Sequence, residues 1–125
     1  METALHSGYR HIDCAAIYRN EAEVGEGIKK SGVKREEIFI TSKLWNTSHE
    51  PEDVESALNK TLADLGTEYV DLYLIHWPCA FAAGPKFFPL DPETGVFRLS
   101  DTHFTKTYAA MEALLETKKA RAIGV

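Results

Sequence analysis

Apolar and polar positions along this chain follow two periods, and the chain switches between them several times. Short apolar runs at 9–14 (YRHIDC), 38–42 (IFITS) and 70–75 (VDLYLI), and the terminal RAIGV, read as four strands. Helical spacing fills the gaps. Asn20 with Glu23 three positions on has the arrangement of a capping box, and the helix it opens runs to about Ser31, with Gly32 placed to end it. Val24 and Ile28 share one face of that helix, while Gly25 and Gly27 point to close helix packing. Pro51 suits the first turn of the next helix, where a missing N–H costs nothing. Val54, Leu58, Leu62 and Leu65 repeat as a buried stripe that stops at Gly66. Phe104, Tyr108, Met111 and Leu115 mark a further amphipathic helix.

The order is strand, helix, strand, helix, strand, helix, strand. Strands of low polarity between helices predict a parallel α/β sheet covered on both faces and joined by right-handed crossovers. Two architectures share this order, an open doubly wound sheet and part of a (β/α) barrel, and periodicity does not separate them. The stretch from Pro78 to about Asp101 breaks the pattern. It holds Pro78, Pro85, Pro89 and Pro92 together with Phe81, Phe87, Phe88 and Phe97. Such a segment is either an apolar rim that covers something or an Ω-loop packed on its own side chains.

Composition narrows the function classes. The 125 residues match the scale of one domain, and an apolar fraction of 44% is enough to bury a core, which argues against disorder. A net charge of −5 with no long basic run argues against a nucleic-acid surface. No run approaches the roughly 18 apolar residues of a membrane span, and METALHSGYR lacks the pattern of a secretory signal. Cys14 and Cys79 form no CxxC pair, so reduced thiols and a cytoplasmic setting are expected. The histidines show no HExxH spacing and the glycines no phosphate loop, so no metal site is expected.

In parallel α/β folds, reactive groups gather where strands end. The first strand ends at Asp13, the second at Lys43 and the third at His76, at a common level on one edge. Tyr18 lies in the loop just past Asp13, Trp45 follows Lys43 by two residues, and Trp77 follows His76 directly. Each has an ordinary structural use. An Asp can cap a helix, a Lys can reach solvent, a His can satisfy the core, and an indole can pack. Together they suit one chemistry. A phenol with a pKa of about 10 is a poor acid at neutral pH, and an adjacent ammonium favours its phenolate. A carboxylate holds that ammonium in place, and a neutral imidazole donates to a carbonyl oxygen. This set delivers a proton to an oxygen that becomes negative as hydride arrives at carbon. The hydride must come from a dissociable donor.

These residues carry a resemblance. GYRHIDCAAIYRNEAEVG, IFITSKLW, VDLYLIHWP and ARAIGV are similar, in order and spacing, to the aldo-keto reductases. The resemblance covers essentially all 125 positions. It implies a partial (β/α)8 TIM barrel, strands 2 to 5, forming a single partial domain over 1–125. It also implies NADP(H) as cofactor and a small-molecule carbonyl or alcohol as substrate, in a parent protein that is monomeric. By motif position Tyr18 is the general acid, Lys43 tunes it, Asp13 pairs with Lys43 and borders the cofactor, and His76 orients the carbonyl. Trp45, Trp77 and His76 line the substrate pocket, and the Pro78–Asp101 segment is the variable loop over the barrel mouth. METALHS resembles only the end of the family's preceding helix, and the Ser-Asn that follows AIGV in the family lies beyond Val125. A closed barrel of eight units takes roughly 250 residues. The expectation is a reductase whose 125-residue portion is inactive alone. The competing expectation is a non-catalytic regulatory or structural relative.

Overall fold

A computed structural model describes residues 1–125. A short helix α1 (Glu2–His6) precedes β1 (His11–Asp13), α2 (Glu21–Ser31), β2 (Phe39–Leu44), α3 (Pro51–Leu65), β3 (Val70–Ile75), α4 (Phe104–Glu116) and β4 (Ala120–Gly124). All three strand pairings are parallel, and the sheet order β1-β2-β3-β4 follows the chain. A doubly wound sheet reverses its strand order at a switch point. This sheet has no reversal, so the barrel-type progression is the one observed.

Side chains alternate along each strand, and the alternation decides which face is covered. Ile40, Ser42 and Leu44 of β2 and Asp71, Tyr73 and Ile75 of β3 are buried. Lys43, Leu72 and Leu74 between them are only partly covered and Phe39 is exposed, while Thr41 on that face is buried, hydrogen-bonded to the His11 ring. The helices pack in chain order, α1 on α2, α2 on α3 and α3 on α4. The expected cover on both faces is therefore corrected: one face lies under the helices and the other is open. The core joins Ile40, Leu44, Val70 and Tyr73 to the α3 stripe of Val54, Leu58, Leu62 and Leu65 and to Met111 and Leu114 of α4. Leu115, expected in that stripe, is exposed, and Leu114 takes the inward position instead.

Local signals fare unevenly. Gly32 and Gly66 both adopt left-handed backbone (φ 68° and 65°) at the ends of α2 and α3, as their sequence positions predict. A Cβ on Gly25 would meet the Leu65 carbonyl oxygen at 2.5 Å, so only hydrogen lets α2 approach the end of α3. The capping box does not form. The Asn20 side chain makes no cap bond and Glu23 is exposed. Arg19, in left-handed backbone at φ 56°, turns the chain into α2, and the first-turn carboxyl that is used belongs to Glu21.

Opposite the edge that carries the site residues, Asp71 is 7% exposed. It accepts from Arg35 Nη2 at 2.8 Å, Ile40 N at 2.9 Å and Arg121 Nη1 at 3.2 Å. Both guanidinium groups stack on Tyr69, at 4.0 and 3.9 Å from its centroid. This cluster ties the entry of β2 to β3 and β4.

His49, just before α3, is 1% exposed, and neither ring nitrogen has a partner. Burial lowers its pKa to about 4, against a small opposing effect of Glu50. The unfolded chain binds this proton near the ordinary value of about 6.5, so stability is present above that pH and is lost as pH falls towards 4. The full shift corresponds to about 3 kcal/mol. The urea midpoint should fall further between pH 7 and pH 4.5 in the unsubstituted chain than in His49→Gln. Equal falls would contradict this assignment.

Candidate active site

The sheet register sets the site. Asp13 pairs with Thr41 and Lys43 with Leu74, so each chemical residue stands two positions further along than its neighbour's. The expected common level is therefore a stagger in register. The side chains close the gap. Lys43 Nζ donates to Asp13 Oδ1 and, at 2.8 Å, to the Cys14 carbonyl, which clips β2 to the end of β1. The Lys43 side chain is 12% exposed and that of Asp13 62%, so this pair is held at one end and wet at the other.

Tyr18 ends a single 3-10 turn (Ala16–Tyr18) beyond β1, and half of its surface is exposed. Its ring lies 5.5 Å from the Lys43 ammonium and 6.0 Å, edge to face, from His76. His76 extends β3 through a backbone bond to the Leu44 carbonyl. Its Nδ1 is buried without a partner, while Nε2 is the nitrogen left open to a ligand. Burial lowers the His76 pKa, the Lys43 charge lowers it further, and Asp13 opposes both. The net shift favours the neutral ring.

The two indoles differ. Trp45 is 2% exposed and Trp77 43%. Trp45 sits 5.3 Å from His76 and 5.1 Å from Trp77, ring centre to ring centre. The 78–101 segment wraps this same indole. Trp45 Nε1 donates to the Phe87 carbonyl at 2.8 Å, and Phe81 and Phe88 pack edge-on against its ring. Phe81 stacks on Phe97, and two antiparallel bridges, Phe81 with Leu99 and Leu90 with Phe97, fold the segment on itself. Both loop readings are therefore realised in one segment, which packs on its own side chains and covers Trp45. Its far end is held by Glu50, which accepts from Ser100 Oγ at 2.6 Å and Thr102 Oγ1 at 2.7 Å.

The structure thus brings Asp13, Tyr18, Lys43, His76, Trp45 and Trp77 to one edge. Sequence reasoning missed the Cys14 carbonyl, since a backbone acceptor carries no residue signal, and it missed buried Glu21, which reads as an ordinary first-turn acid. Both cysteines are free. Burial pushes the Cys14 thiol up to about 12, which makes it inert.

At the C-terminal edge of the parallel sheet stand a phenol, an ammonium–carboxylate pair and an imidazole. The chain belongs to the Aldo/keto reductase family, whose pattern it matches over residues 1–125. It is 56% identical over 127 residues to Aldo-keto reductase family 1 member A1 of Bos taurus and 54% identical to that of Homo sapiens. Each alignment covers 98% of this chain and 39% of the relative. Among solved structures, it superposes on aldose reductase from Schistosoma japonicum with TM-score 0.95 at 46% identity, over 98% of this chain and 42% of that one. Aldose reductase from Giardia lamblia gives 0.94 at 46% identity, over 99% of this chain and 43% of that one. The chain spans about two fifths of the length of the curated relatives it matches.

Removing the Lys43 charge should raise the pKa of His76, because that charge lowers it and the freed Asp13 raises it. Proton NMR titration of the His76 ring in Lys43→Met is the measurement. An unmoved midpoint would contradict the electrostatic contact.

Proposed function

We propose that this chain contributes the proton-transfer groups of an NADPH-dependent carbonyl reductase, which converts aldehydes or ketones to alcohols. In this reading it forms the second to fifth strands of a closed (β/α)8 barrel. The convergence of Tyr18, Lys43, Asp13 and His76 at one sheet edge carries the proposal. The donor set fits a nicotinamide partner, because it serves an oxygen that gains negative charge. When bound, NADPH would supply the hydride, and Asp13, on the open face at that edge, is the residue here that would border it.

The remaining steps belong to this chain. Tyr18 Oη gives its proton to the substrate oxygen. The Lys43 ammonium, held by Asp13 and the Cys14 carbonyl, offsets the phenolate charge left behind. Neutral His76 presents Nε2–H to the same oxygen and orients the carbonyl. Trp45 and Trp77 form an apolar wall that favours a small carbonyl compound and limits water. The free thiols support a reducing, cytoplasmic setting. A four-stranded sheet leaves its inner face open, so the 125-residue chain alone is inactive in this account.

The test places this segment in the bovine relative in exchange for its matching residues, and follows NADPH oxidation with an aromatic aldehyde. Tyr18→Phe should lower kcat by about 100-fold or more. Turnover at the unsubstituted rate would overturn the proposal.

A further inference from the structure

On the helix side of the sheet, directly behind the site, lies a buried polar cluster that the reaction above does not use. Glu21, the first residue of α2, is 4% exposed. Its Oε1 accepts from Ser42 Oγ at 2.6 Å, and its Oε2 accepts from Thr61 Oγ1 of α3 at 3.1 Å. Ser42 and Thr61 are themselves buried, at 0% and 1% exposed. Tyr73, the register partner of Ser42, is fully buried beside them, and its hydroxyl has no partner. No cation pairs with the Glu21 carboxyl, since nearby Lys60 is taken by Asp64. Burial raises the Glu21 pKa, while the two hydroxyl donors oppose the rise. A carboxyl kept in such a place is costly unless its bonds do something an apolar residue could not.

The positions of its partners indicate what that is. Glu21 lies three residues past Tyr18, across the left-handed turn at Arg19. Ser42 immediately precedes Lys43 in β2, and alternation sends their side chains to opposite faces. The Glu21–Ser42 bond therefore joins the backbone that carries the phenol to the backbone that carries the ammonium, from behind. The Lys43 bonds to Asp13 and Cys14 join β2 to the end of β1, ahead of that turn. Between them, the two links hold the Tyr18 turn at both ends.

We infer that Glu21 is a positioning residue, whose buried bond to Ser42 fixes the Tyr18 hydroxyl relative to the Lys43 ammonium. The inference rests on the reductase reading above. The Thr61 bond anchors the same carboxyl to α3, not directly to the strand that carries Lys43. This asymmetry separates positioning from simple stability, because either hydroxyl donates one buried bond to one carboxyl.

The experiment uses the exchanged bovine barrel, with kcat and KM for an aromatic aldehyde and thermal midpoints for each variant. Ser42→Ala and Glu21→Ala should lower kcat on the order of 10- to 100-fold, with KM within about twofold, as misplacement of reacting groups does. Thr61→Ala should lower the thermal midpoint about as much as Ser42→Ala and leave kcat within about twofold. Glu21→Gln, whose amide oxygen still accepts from Ser42 while its N–H donates to Thr61 Oγ1 with the direction of that bond reversed, should restore most of kcat. Should Glu21→Ala not fold, the Ser42 and Thr61 pair decides alone. The inference is overturned if Ser42→Ala keeps the parent kcat, or if Thr61→Ala loses as much. If the unsubstituted barrel is inactive, the reductase reading fails and takes this inference with it.

Discussion

Parallel pairing of β1, β2 and β3 in one register is the constraint on which the candidate site depends. Asp13 opposite Thr41 and Lys43 opposite Leu74 put both charged side chains on the open face. A slip of one residue in β2 would turn Lys43 under the helices and bring Ser42 or Leu44 out. That slip is opposed at both ends of the strands. Behind the sheet, Ile40 and Leu44 are fully buried, and Ser42 is bonded to Glu21. At the opposite end, Asp71 accepts from the Ile40 backbone N–H and from arginines flanking β2 and in β4. The chemistry thus inherits its geometry from packing and from two polar anchors, one at each end of the strands.

On that frame the Lys43 ammonium is the central group. It meets the Asp13 carboxylate and the Cys14 carbonyl, lies near the Tyr18 ring, and depresses the pKa of His76. An ion pair with one exposed partner adds little to stability. Its effect here is positional and electrostatic: one charge stands beside the Tyr18 ring and adds to the burial that lowers the His76 pKa. The aromatic segment around Trp45 gives the neighbouring His76 ring a drier border, where fields act more strongly.

Much of this was legible in the chain. The strand-end positions of Asp13 and His76 follow from short apolar runs, and Tyr18 from its place in the following loop. Gly32 and Gly66 ended helices as read. What was not legible depends on tertiary competition. Asn20 and Glu23 have capping-box spacing, yet the Arg19 turn sets the entry to α2 and a neighbouring acid, Glu21, bonds to another strand instead. Leu114 and Leu115 are alike in hydropathy, so only the packed helix shows which one faces inward. Four phenylalanines in one segment announced an apolar cluster but not that Trp45 stands at its centre. His49, buried with no partner, carries no sequence signal at all.

The account's central claim is that these residues complete a hydride reduction by protonating the carbonyl oxygen. The most direct test supplies NADPH deuterated at the nicotinamide carbon that gives up hydride to the barrel carrying this segment, with an aromatic aldehyde, and examines the product by mass spectrometry and NMR. The account predicts an alcohol with one deuterium on the former carbonyl carbon and a solvent-derived proton on its oxygen. Cofactor left unconsumed, or an alcohol without carbon-bound deuterium, would contradict it.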